Sequence, residues 1–77
     1  MHTQITDVII HTSDELSERQ FAQVSEQACR TEGIISVSRN VHTPRLLMIV
    51  YHAGRIRGSE ILRAVTGFGY DASLVGM

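Results

Sequence analysis

The sequence predicts an α+β domain whose elements run strand, helix, strand, strand, helix, strand. Three observations predict it. Six apolar residues in a row, Leu46 to Tyr51 (LLMIVY), stand between Pro44-Arg45 and His52-Ala53-Gly54, a run of strand length rich in β-branched and aromatic types. Phe21, Val24 and Ala28 recur at helical spacing while Glu18, Arg19, Gln23, Glu26 and Gln27 lie off that face. Gly33, Pro44, Gly54 and Gly67 punctuate the chain between periodic segments.

Taken in order, Ile5 to Thr12 (ITDVIIHT) carries Val8, Ile9 and Ile10 together and reads as a strand with apolar character on both sides. Thr12-Ser13-Asp14-Glu15 supplies a capping pattern for a helix that runs to about Thr31. Asp14 and Glu15 near its start and Arg30 near its end suit the macrodipole, and Gly33 is its stop. Ile34 to Val41 alternates Val37, Arg39 and Val41 against Ser36, Ser38 and Asn40, the pattern of an edge strand. His42-Thr43-Pro44 turns the chain into the central run. Beyond it, Ser59 is the predicted cap and Glu60 the first-turn acid of a short helix with the stripe Ile61, Leu62 and Val65, ending at Gly67 or Gly69. Ile56 is placed to pack back on its first turn. Asp71 to Val75 forms the last strand.

Short connections and right-handed crossovers arrange these elements as a ferredoxin-like βαββαβ sandwich. Its four-stranded antiparallel sheet has the order fourth, first, third, second (4-1-3-2), with two helices on one face. Seventy-seven residues make a single domain, 1–77, with a small core. The net charge of -1 and the lack of a basic block argue against an electrostatic grip on nucleic acid or on an anionic membrane. No apolar run approaches spanning length, and the amino terminus lacks a signal-peptide pattern. One cysteine, Cys29, excludes an internal disulfide and fits a reducing, cytoplasmic setting; it is expected to be a small buried or half-buried thiol. All seven Lys and Arg positions are arginine, and Arg55 and Arg57 are candidates for docking a partner's carboxylates, set against plain solvated surface.

Three segments carry a family resemblance. Thr31-Glu32-Gly33-Ile34-Ile35-Ser36-Val37-Ser38, Ile49-Val50-Tyr51-His52, and Ser59 to Val65 followed by Gly69-Tyr70-Asp71-Ala72 together resemble the heavy-metal-associated domain of copper chaperones and metal-pumping ATPases. The resemblance covers nearly the whole chain and implies the same fold. It also implies a Cu(I) site at a Cys-x-x-Cys pair in the loop before the first helix, where soft thiolates hold a soft ion. Counting back from Gly33, those positions fall near Ser17 and Gln20, and neither is a cysteine.

The expectation is therefore no cofactor. The alternative is a transition-metal ion held by His11 and His42 with Asp14 or Glu15; Met1, His2, His52 and Met77 have no ligand role. No nucleophile, base and orienting group can be identified, so the chain is not expected to be an enzyme. The acylphosphatase glycine loop, the stacking aromatics of RNA-recognition motifs and the glycine turn of ACT-type sensing domains are absent, although a small-molecule sensor remains a further alternative.

With both helices on one side, one register of the central strand must point to an open face. Either Leu46, Met48 and Val50 face outward beside Ile9, or Leu47, Ile49 and Tyr51 do so beside Val8 and Ile10, and a one-residue slip exchanges them. Both choices leave an apolar patch, partly shielded by Arg39 and Arg45. Such a patch favours association with itself or with another protein. The expected function is a non-catalytic binding module acting through that face.

Overall fold

The computed structural model describes residues 4–75; Met1, His2 and Met77 lie outside them. The elements are β1 (Ile5–Thr12), α1 (Glu18–Arg30), β2 (Ile34–Arg39), β3 (Leu46–His52), α2 (Gly58–Thr66) and β4 (Ala72–Val75). They form one antiparallel sheet in the order β2-β3-β1-β4, the predicted order read from the opposite edge.

Strand periodicity sorts β1 and β3 into two sets. Val8, Ile10 and Thr12 of β1 and Leu47 and Ile49 of β3 are buried with Val24 and Ala28 of α1 and Ile61 and Val65 of α2, so both helices cover the same side. Of the two registers the sequence leaves open, the one with Leu47, Ile49 and Tyr51 outward is ruled out, since Leu47 and Ile49 are buried and Tyr51 packs against the core. Ile10, Leu47, Ile49 and Ile61 are each 0 % exposed. At about 1.5–3 kcal/mol for each buried large aliphatic, they outweigh a surface pair such as Arg30–Glu26, with both side chains about two-thirds exposed and worth about 0–1 kcal/mol.

One irregularity, at the start of β2, sets the facing of that strand. Ile34 pairs with Tyr51 and Ser36 with Val50, so Ile35 is an extra residue and is exposed. This bulge lets Ile34, Val37 and Arg39 share the helix side while Ser36 and Ser38 face outward.

The helix starts differ from expectation. Thr12 stays in β1 because its amide and hydroxyl both donate to the Arg45 carbonyl, at 2.8 and 3.3 Å. Leu16, 3 % exposed, pins the following loop, so the helix opens at Ser17 rather than in Thr12-Ser13-Asp14-Glu15. Leu16 and Phe21 hold the N′ and N4 positions of a hydrophobic staple. The second helix repeats the device. Arg57, not Ser59, is its cap residue, the Arg57 amide donates to Glu60 Oε1 at 3.2 Å, and buried Ile56 and Ile61 take N′ and N4. The β2 strand stops at Arg39, leaving Val41 in the turn and 85 % exposed.

Candidate functional site

The loop between β1 and α1 is where the family resemblance implies metal ligands. Its two key positions have other work. Gln20 N–H donates to Ser17 Oγ at 3.1 Å, and Ser17 N–H donates to Gln20 Oε1 at 2.8 Å. The three-residue spacing that would present two thiolates instead closes a reciprocal cap on orphan amides. Cys29 lies near the far end of α1 and is exposed, contrary to expectation; Ala28 takes the buried position, and the next residue turns about 100° away.

The candidate His and carboxylate ligands are spread out. His11 lies on the open face beside Leu46 and Ser73. His42 is exposed in the β2–β3 turn, with its amide donating to Asn40 Oδ1 at 2.8 Å. Asp14 and Glu15 are exposed and line a depression of about 150 Å³ with Asp71, Tyr70 and Gln20. Among the described residues, no group of three or more His, Cys, Asp or Glu side chains is positioned to hold a metal ion.

On the open face, four rows cross the sheet. They are His52–Ile5, Ser36–Val50–Asp7, Ser38–Met48–Ile9–Val75 and Leu46–His11–Ser73. Ile9, Leu46 and Val50 are half-buried, while Met48 is 40 % and Val75 44 % exposed. A shallow depression of about 380 Å³ lies over Ile9, Leu46 and Met48, rimmed by Ser38, Arg39, Asn40 and Thr43. Asp7 is the one formally charged side chain on these rows. The sequence reading includes Ile9, Leu46, Met48 and Val50 but misses Ile5, which is 61 % exposed, and Val75. The alternation of Ser73 and Val75 against Ala72 and Leu74 is the signal that could have found Val75.

Of the arginines expected to shield the patch, Arg39 does not, because its guanidinium is engaged on the other side of the sheet. The Arg39 guanidinium sits 4.5 Å from the Phe21 ring centroid and donates to the Leu16 carbonyl, on the helix side of the sheet. Arg55 is exposed and 3.7 Å from Glu32, and Arg57 is exposed at the start of α2.

No family model matches the chain, and no curated protein matches it. Solved structures do. Oxidized MerP from Ralstonia metallidurans superposes with a TM-score of 0.79 at 15 % identity, over 94 % of this chain and 99 % of that one. The N-terminal domain of a potential copper-translocating P-type ATPase from Bacillus subtilis, in its Cu(I)-loaded state, gives 0.80 at 14 % identity, over 92 % and 88 %. The copper chaperone of Enterococcus hirae gives 0.76 at 16 % identity, over 88 % and 98 %. At these identities the likeness is one of fold.

Proposed function

The chain has the fold of heavy-metal-associated domains, and from that premise we propose that it is a non-catalytic binding module that works by protein association through its open sheet face. One observation carries the reading: the cross-strand row of Met48, Ile9 and Val75, bordered by Leu46 and Val50, puts contiguous aliphatic surface where neither helix reaches. Contiguous patches of this kind on small domains commonly serve partners. The exposed thiol of Cys29 suits a reducing, cytoplasmic setting.

Two of the solved relatives are a copper chaperone and a Cu(I)-loaded domain. That chemistry does not carry over to Ser17 and Gln20, whose neutral oxygens are poor partners for a soft ion and already satisfy each other.

A photoreactive amino acid in place of Met48 tests the reading in cells. Protein adducts are expected from that position and not from the same probe at exposed Gln23 on α1. Equal labelling at both positions would remove the support. Titration with Cu(I), Cu(II) and Zn(II) against a competing chelator tests the metal alternative: sub-micromolar binding lost on His11→Ala would replace this reading with that of a metal carrier.

A further inference from the structure

We infer that the occupant of the open face is a second copy of this chain, seated with its strands antiparallel about a two-fold axis along the row Ser38–Met48–Ile9–Val75. The inference rests on the protein-association reading and adds the partner and the register.

The rows decide the geometry. Asp7 and His11 lie two residues to either side of Ile9 on the same face of β1, and Val50 and Leu46 lie two residues to either side of Met48 on β3. A two-fold axis across the strands at Ile9 and Met48 sets each row over its opposite. Ile9 then meets Ile9 and Met48 meets Met48. Val50 covers Leu46 of the second copy, and Asp7 faces His11 of the second copy, where an imidazole N–H can donate to the carboxylate. Each copy contributes both halves of that pair, so the surface is self-complementary, as a closed dimer requires. An axis along the strands, midway between β3 and β1, instead sets Asp7 over Val50 and His11 over Leu46 of the second copy. It closes apolar surface over a carboxylate that has no partner, which disfavours that arrangement.

Size predicts how tight the dimer is. Four strands about 4.8 Å apart and about seven residues long give a face on the order of 400 Å². That is about half of the ~800 Å² per partner of a standard stable interface. The dimer is therefore weak and reversible, forming at micromolar to millimolar concentration rather than persisting on dilution.

Sedimentation equilibrium of the full chain from about 10 μM to 1 mM tests it, with thermal melts confirming that each surface variant is folded. The wild type is expected to dimerise and Met48→Glu to abolish dimerisation. Asp7→His and His11→Asp each place like groups opposite one another and should raise the dissociation constant about tenfold. The swapped double variant Asp7→His with His11→Asp should return it towards wild type. A dimer lost in Met48→Glu but with no rescue in the swap overturns the antiparallel register and leaves the association reading standing. A monomer at 1 mM overturns the homodimer outright, and a partner of another kind is then judged by the Met48 crosslinking, whose own failure ends the association reading.

Discussion

The guanidinium of Arg39 lies over the ring of Phe21, 4.5 Å from its centroid, and donates a hydrogen bond to the carbonyl of Leu16. An arginine in the apolar register of β2 thus closes the edge of the core, clasping both residues of the staple that starts α1. A planar group that stacks on a ring while its rigidly placed N–H donates in plane is a property of arginine that lysine, with its rotatable ammonium, lacks. Arg39→Lys and Arg39→Ala should each lower stability by about 1–2 kcal/mol. A double-mutant cycle with Phe21→Leu in urea denaturation should return a coupling of at least about 0.5 kcal/mol; strict additivity would show that the stacking contributes nothing.

The turn from α1 into β2 depends on a residue without a side chain. Gly33 has φ +99, and an added Cβ would lie 2.9 Å from Ile56 Cγ2 in the core. Gly69 has φ +91 with nothing nearby, and Gly54 has open space and no positive φ. Denaturation midpoints should rank the alanine variants accordingly. Gly33→Ala should lose at least about 2 kcal/mol, Gly69→Ala about 1 kcal/mol and Gly54→Ala little or nothing. A Gly54→Ala loss equal to that of Gly33→Ala would contradict the packing of Ile56.

Side-chain direction in β3 makes neighbouring positions respond in opposite ways. Leu47→Ala empties a fully buried site and should cost about 2–5 kcal/mol. Met48→Glu changes an exposed one and should stay within about 1 kcal/mol of wild type at dilute concentration. A reversal of these two effects would mean that the strand is turned over.

Ser17 and Gln20 offer a constructive test of the loop. Ser17→Ala should cost about 1 kcal/mol by opening the cap. Replacing both residues, Ser17→Cys with Gln20→Cys, should bring a Cu(I) site measurable by chelator competition, together with a loss of about 1–2 kcal/mol in metal-free stability. No gain in Cu(I) affinity would show that the Leu16-pinned loop does not present the two positions together.

Local sequence determined the element types and their order. The short apolar runs in ITDVIIHT and LLMIVY and the periodic Phe21–Val24–Ala28 stripe are strong local signals, and right-handed connections then leave one sheet order. The lack of a second cysteine was likewise legible at once, because it is a matter of composition. Helix starts were not legible. Thr12-x-x-Glu15 and Ser17-x-x-Gln20 are both plausible caps, and the choice fell to Thr12's bonds to the Arg45 carbonyl, 33 residues away, and to the burial of Leu16.

The facing of β3 was decided in the same way. An uninterrupted apolar run carries no alternation, so it does not say which half meets the helices. The packing of Leu47 and Ile49 with Val24, Ala28, Ile61 and Val65 of the helices settled it, and with it which aliphatic side chains are left for a partner. Sequence alone thus set what the pieces are, since each piece is a local pattern; tertiary structure set which way they face, since register is a relation between strands distant in the chain.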